Sequence, residues 1–269
     1  MSHIRLIISD IDGTILNDHH QIDPQLAALI PDLKREEIPF VLASARSPKG
    51  MAPIAEELGI EDCPMACYNG ALIQKGEHVL FEHPLNKNEA RQFINWANQH
   101  FPQVSINLYS GKDWMTDHLD QWSQEEARIT GEKPLIIPLL DPLLDTTKPL
   151  HKLLLIGEAE EIQALYHAIS NDDFPSTAFY LSKANYLEVT AKHVSKEDAL
   201  VELANHYHLS LEEILTMGDN FNDLPMLKKS GIGVAMGNAP QEVKDGATVV
   251  TKTNNENGAG QAVETYVLI

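Results

Sequence analysis

Cysteine is nearly absent from this chain. Two residues of 269, Cys63 and Cys67, are too few for a disulfide framework. They flank Pro64-Met65-Ala66 beside an apolar stretch, which suits two small buried thiols better than a metal or redox pair. Basic residues are scarce as well. Lysine and arginine total 20 against 39 acidic residues, a formal net charge of −19. Such an excess repels polyanions, so neither nucleic acid nor an anionic membrane surface is an expected partner. No apolar run nears the ~20 residues needed to span a bilayer, and no signal peptide is visible before Asp10. The expected setting is the cytoplasm. No Gly-Lys-Ser/Thr phosphate loop occurs, and Gly231-Ile232-Gly233 with Gly237 runs into Asn238-Ala239-Pro240 instead of an apolar helix start. The twelve histidines are scattered without a ligand pair.

What is present is an alternation of short apolar runs and amphipathic helices. Ile4 to Ser9 is nearly continuous in apolar residues, the pattern of a strand buried on both faces of a parallel sheet. Asp23-Pro24 supplies an N-cap and first-turn proline for a helix, and Pro31 inside it predicts a bend. Residues 38–43 predict the next strand, and Ser47-Pro48 opens another helix. After residue 83 the character changes: a helix over 88–100, a strand over 104–109, and a stretch rich in tryptophan and acidic residues. A proline-punctuated passage then leads to a strand over 152–156, a helix over 158–170 and two more strands. The first pattern resumes at Ser195. These shifts predict an α/β protein with a doubly wound, Rossmann-like parallel-sheet core formed by 1–83 and 191–269, and an inserted α+β domain over 84–190.

Chemistry gathers at the ends of the predicted strands. Asp10 follows the first strand, where open α/β sheets place their ligands. Asp12 is two residues on, and Gly13 permits a tight turn. Two close carboxylates ionise together most readily around a cation, and a hard divalent ion suits them. The same Asp-x-Asp-Gly segment also reads as a simple turn or half a calcium loop, although residues 13–21 lack the further oxygen ligands and terminal glutamate of the latter. A second strand, 214–217, ends at Gly218-Asp219-Asn220-Phe221-Asn222-Asp223. Asp219 could join the same metal, with Asn222 and Asp223 one turn further to contact phosphate or orient the ligands; alternatively the loop merely caps the helix from Leu224. Ser44 and Arg46 follow the strand ending at Ala43, where a hydroxyl and a backbone N–H suit a phosphate oxygen. Lys196 opens a helix, a place disfavoured for a cation unless an anion is bound; an exposed surface lysine is the plainer reading.

These four fragments, in this order, resemble the motifs of the haloacid dehalogenase-like phosphatases, in particular the Cof-type branch with a large inserted cap, and the resemblance spans essentially the whole chain. Asp10-Ile11-Asp12-Gly13-Thr14 looks like the first motif, Ser44 the second, Lys196 the third and Gly218 to Asp223 the fourth. Tyr68-Asn69-Gly70-Ala71, Val234 to Ala239 and Asn254 to Gly258 are supporting matches. The resemblance implies that Asp10 is a nucleophile forming an aspartyl-phosphate and Asp12 a general acid/base. It implies Mg²⁺ held by Asp10, the Asp12 backbone carbonyl and Asp219, with Asp223 behind them. Ser44, the backbone at Ala45, Lys196 and Asn222 would face the phosphate, and the substrate would be a small phosphorylated metabolite such as a sugar phosphate. Two positions depart from the branch, Ala45 and Glu197, both usually glycine. If Ala45 needed a positive φ, alanine would cost roughly 1 kcal/mol. A phosphotransferase or sugar phosphomutase on the same scaffold, or a non-catalytic phosphometabolite-binding protein, are the alternatives, and the oligomeric state is not set by the sequence.

Overall fold

The computed structural model describes residues 4–268. In chain order the regular elements are β1 (Leu6–Ser9), α1 (Pro24–Arg35), β2 (Phe40–Ala43), α2 (Pro48–Leu58), β3 (Met65–Cys67), β4 (Leu72–Lys75) and β5 (His78–Glu82). Then come α3 (Lys87–His100), β6 (Ser105–Ser110), β7 (Asp113–Thr116), α4 (Gln121–Thr130), β8 (Leu135–Ile136), α5 (Asp141–Leu144), β9 (Lys152–Ile156), α6 (Ala159–Ala168), β10 (Thr177–Lys183) and β11 (Tyr186–Ala191). The chain closes with α7 (Lys196–Tyr207), β12 (Ile214–Gly218), α8 (Leu224–Lys229), β13 (Ile232–Ala235), α9 (Gln241–Gly246), β14 (Val249–Val250) and α10 (Gly258–Tyr266). Contacts divide it into two units. One comprises 4–46, Met51–Phe81 and 195–268; the other comprises Glu82–Val194 with Ser47–Gly50.

The first unit is built on an eight-stranded sheet in the order β14-β13-β12-β1-β2-β3-β4-β5. From β14 to β3 every pairing is parallel. β1, β2, β3 and β12 are buried along their whole length, which explains their continuous apolar sequences. β4 joins antiparallel, so the sheet is mixed at this edge. β4 and β5 were not foreseen: Gln74, Lys75 and the exposed residues of His78–Glu82 break the apolar signal that marks an interior strand. α1 is capped by the Asp23 carboxylate, which accepts from the Gln25 and Leu26 N–H groups, and it runs through Pro31 as one element. The chain steps outward from β1 to β2 and β3, then returns to the other side of β1 as β12, β13 and β14. Strand order therefore reverses between β1 and β12, and this is the point where open α/β sheets leave a crevice at their carboxyl ends.

The second unit holds a six-stranded sheet in the order β10-β11-β9-β6-β7-β8. Its core joins Phe93 and Ile94 of α3, Ile106 and Leu108 of β6, Leu153 and Leu155 of β9, Ile162 and Leu165 of α6, and Leu187 and Val189 of β11. The tryptophan- and acid-rich stretch resolves into β7 and α4, and the proline-rich passage contains β8 and α5. Asp120 and Ser123 form a reciprocal capping box that starts α4.

Candidate active site

Register places the chemistry side by side. Ser9 of β1 pairs with Met217 of β12 and with Leu42 of β2, so the residues just beyond, Asp10, Asp219 and Ser44, emerge together at the carboxyl edge. The Asp10 N–H continues the ladder by donating to the Met217 carbonyl at 3.0 Å. Oxygens of Asp10, Asp219 and Asp223 lie within 4.8 Å of one another.

Lys196 sits beneath this cluster, 1% exposed. It is not the surface lysine that its helix-start position suggested. Its Nζ donates to Asp10 Oδ1 at 2.5 Å and to Asp223 Oδ1 at 2.6 Å. Burial alone would lower the ammonium's pKa, but the two carboxylates outweigh it and hold the proton on. Asp223 is fully buried, and its other oxygen accepts from the backbone N–H groups of Asp219 and Asn220, each at 3.0 Å. It thus fastens the Asp219 loop to Lys196. Gly218 makes this possible, since a Cβ there would stand 2.4 Å from the Asp223 side chain.

Asp219 has only neutral donors at its carboxylate among the described contacts. The Thr14 hydroxyl reaches Oδ1 at 3.4 Å and the Asn238 amide reaches Oδ2 at 3.3 Å. Gly13, at φ +77°, lets the loop pass so close that a Cβ would lie 2.4 Å from Asp219 Oδ2. Burial, together with Asp223, pushes the Asp219 carboxyl up to about 6. Burial also pushes Asp10 up to about 8, Lys196 pulling it down and Asp223 and Asp219 pushing it further up. A buried cluster of hard oxygen donors with more negative charge than Lys196 can answer is the donor set that a divalent cation such as Mg²⁺ fits.

Both raised carboxyls destabilise the metal-free fold as pH rises. A folded pKa above the ordinary 3.8 means that the stability is fully present below about 3.8 and is lost through about 6 for Asp219 and about 8 for Asp10. Asp219→Asn should accordingly raise Tm in EDTA at pH 8 by roughly 2–4 °C, a gain that shrinks toward pH 5. Thermal unfolding at the two pH values checks this. A variant melting lower than wild type at pH 8 would contradict it.

Asp12 is not part of the three-carboxylate cluster. Its carboxylate is gripped by Arg46, Nε to Oδ2 at 2.8 Å and Nη2 to Oδ1 at 2.6 Å, a two-pronged pair that the sequence did not reveal. Ser44 is buried, and its Oγ accepts from the Arg46 N–H at 3.3 Å. Ala45 is not among the positive-φ residues, so the cost expected there does not arise. The left-handed backbone lies instead at Tyr68, Asn69 and Gly70, at φ +53°, +57° and +104°. That turn donates from the Tyr68 N–H to the Arg46 carbonyl and from the Asn69 N–H to the Ser44 carbonyl, fixing the loop after β2. Asn69 Oδ1 also accepts from the Asn222 amide at 3.4 Å. Glu197 turns from the cluster to pair with Lys229 at 2.7 Å. Thr14, Arg46, Asn69 and Asn238 are site residues to which the sequence assigned none of these side-chain contacts, although Thr14, Asn69 and Asn238 lie within segments singled out by resemblance and Arg46 was noted beside Ser44.

A family model described as haloacid dehalogenase-like hydrolase matches residues 7–263. A candidate phosphatase of Haemophilus influenzae is 34% identical over 261 residues, 97% of each chain. A Bacillus subtilis protein named as 5-amino-6-(5-phospho-D-ribitylamino)uracil phosphatase is 27% identical over 270 residues, 98% of this chain and 96% of that one. A haloacid dehalogenase-like hydrolase from Bacteroides thetaiotaomicron has a crystal structure that superposes with a TM-score of 0.88 at 30% identity, covering 97% of this chain and 98% of the other. With its motif residues meeting at the β1/β12 switch point and this match along nearly its whole length, the chain belongs to the haloacid dehalogenase-like hydrolases.

Proposed function

We propose that the protein is a Mg²⁺-dependent phosphatase of small phosphorylated metabolites that works through an aspartyl-phosphate on Asp10. The observation that carries this reading is Asp10 itself, a buried carboxylate at the sheet's switch point, pinned by Lys196 and adjoined by Asp219 and Asp223. Binding a phosphate ester requires no such nucleophile, and the burial of so much negative charge is otherwise costly. The relatives' names point the same way, one of them to a phosphorylated ribityl compound.

In the first half-reaction an Asp10 oxygen forms a bond to phosphorus while the ester P–O bond breaks. Asp12 gives its proton to the leaving oxygen. In the second, Asp12 takes a proton from water as the water oxygen bonds to phosphorus and the Asp10–phosphorus bond breaks, releasing phosphate. Asp10, Asp219 and the Asp12 backbone carbonyl would hold Mg²⁺, which when bound would supply positive charge against the phosphoryl oxygens. Lys196 keeps Asp10 oriented, and Ser44, the Ala45 backbone and Asn222 bind the remaining oxygens. Arg46 holds the ionised Asp12 carboxylate in a fixed rotamer, and one of the two hydrogen bonds must open for Asp12 to take up the proton that it then delivers. Residues 84–190 act as the cap that selects the leaving group.

A panel of metabolite phosphates ranked by kcat/KM tests this reading. Release of phosphate with Mg²⁺, stopped by EDTA and restored by Mg²⁺, is expected; no release from any ester would overturn it in favour of a phosphotransferase or a binding protein. Asp12→Asn should lower kcat by about 10²–10⁴-fold for alkyl phosphates and much less for p-nitrophenyl phosphate, whose leaving group needs no proton. Equal losses on both esters would remove Asp12 from the acid role.

A further inference from the structure

Asn238 occupies the loop after β13. Its backbone surroundings are fixed on both sides: the Met236 N–H donates to the Gly218 carbonyl at 3.0 Å, directly before Asp219, and the Ala239 N–H donates back to Met236. The side chain makes three hydrogen bonds. Its Oδ1 accepts from the Asn254 backbone N–H at 3.0 Å. Because that atom must be the acceptor, the amide nitrogen is turned toward the cluster, where it donates to the Gly13 carbonyl at 2.8 Å and to Asp219 Oδ2 at 3.3 Å. A single amide thus ties the turn that carries Asp10 and Asp12 to the carboxylate at the end of β12.

We infer that Asn238 is a positioning residue for the metal: it fixes the rotamer of Asp219 relative to the Asp10–Gly13 turn, so that the carboxylate stands preorganised for a divalent cation. The inference rests on the magnesium reading above. Asp219 carries negative charge into a partly buried place where, among the described contacts, its carboxylate meets neutral donors only. The carboxylate lies against the Gly13 backbone, in the space a Cβ there would fill, and the Thr14 hydroxyl donates to its other oxygen at 3.4 Å. The amide supplies the remaining constraint. A hydrogen-bond donor behind a metal-bound carboxylate leaves its outward lone pairs to the ion, and loss of such a partner typically weakens metal binding by about 10–100-fold.

Calorimetric titration of MgCl₂ into the 269-residue chain tests the inference. Asn238→Ala and Asn238→Ser should each raise the Mg²⁺ Kd by about tenfold or more. The substrate KM, measured at saturating Mg²⁺, should move much less than this. Wild-type Mg²⁺ affinity in both variants would overturn the inference, and a KM change as large as the Kd change would reassign Asn238 to substrate binding. A wild type that binds no Mg²⁺ would sink the magnesium reading instead. The positioning role is then decided by a thermal double-mutant cycle in EDTA. The Tm loss caused by Asn238→Ala should be smaller in an Asp219→Ala background, by the share due to the Asp219 hydrogen bond, and full additivity would overturn it.

Discussion

Asp10→Asn is expected to lose turnover by a factor on the order of 10⁴ or more while the protein remains folded. The substitution is nearly isosteric, and the amide oxygen can still accept from Lys196, whose other carboxylate partner, Asp223, is untouched. An amide does not attack phosphorus to give a stable acyl phosphate intermediate, so the chemistry stops where the bond should form. Substrate binding should persist, because Lys196 and the backbone beyond β2 remain, and the buried negative charge that would oppose an incoming phosphate has been reduced. A matched pair of measurements decides it: steady-state phosphate release, and substrate binding by titration. Residual activity within tenfold of wild type, after contaminating activity has been removed, would exclude Asp10 as the nucleophile.

The second large effect is expected at Lys196, on stability and activity together. Its ammonium is 1% exposed and bridges two carboxylates, one of which is fully buried. Lys196→Met keeps much of the side chain's volume but leaves Asp10 and Asp223 facing one another without their cation. Breaking a buried pair by removing one partner costs roughly 3–5 kcal/mol, since the remaining charge is stranded. Asp10 is already pushed up to about 8, and without Lys196 it shifts further toward the protonated form, which is no nucleophile. Thermal unfolding should show the loss. Asp223→Asn together with Lys196→Met should recover part of it by removing the stranded charge, while activity stays absent. A Lys196→Met protein as stable and active as wild type would contradict the bridging role.

Much of this arrangement was legible in the sequence because parallel strands write themselves plainly. β1, β2 and β12 are buried on both faces, so each is a short apolar run, and the polar residue that follows each run lands at the same edge of the sheet. Asp10, Ser44 and Asp219 could therefore be placed from pattern alone. Strands interrupted by polar or exposed residues were lost: β4 and β5 carry lysine, histidine and exposed positions, β7 is four residues long and opens on Asp113, and β8 has only two residues. Lys196 was misjudged in isolation because burial of a lysine is decided by partners 27 and 186 residues away. The same reason hid the grip of Arg46 on Asp12 and the reach of Asn238 to Gly13. The worry over Ala45 assigned backbone strain to the wrong loop. The structure concentrates the left-handed residues at Tyr68 to Gly70, where Gly70 passes so near that a Cβ would lie 3.0 Å from the Ser195 carbonyl at the start of α7. That turn braces Ser44, Arg46 and Asn222 from one place, which accounts for a motif that spacing alone left without a role.

The proposed reaction passes through a covalent phosphoryl group on Asp10. Single-turnover reaction of the Mg²⁺-loaded protein with a radiolabelled phosphate ester, quenched in acid within milliseconds and digested, measures it directly. Label should appear transiently on the peptide containing Asp10, decay at the rate of phosphate release, and be absent from Asp10→Asn. Phosphate release without any labelled peptide at any quench time, or label on a different residue, would contradict the account.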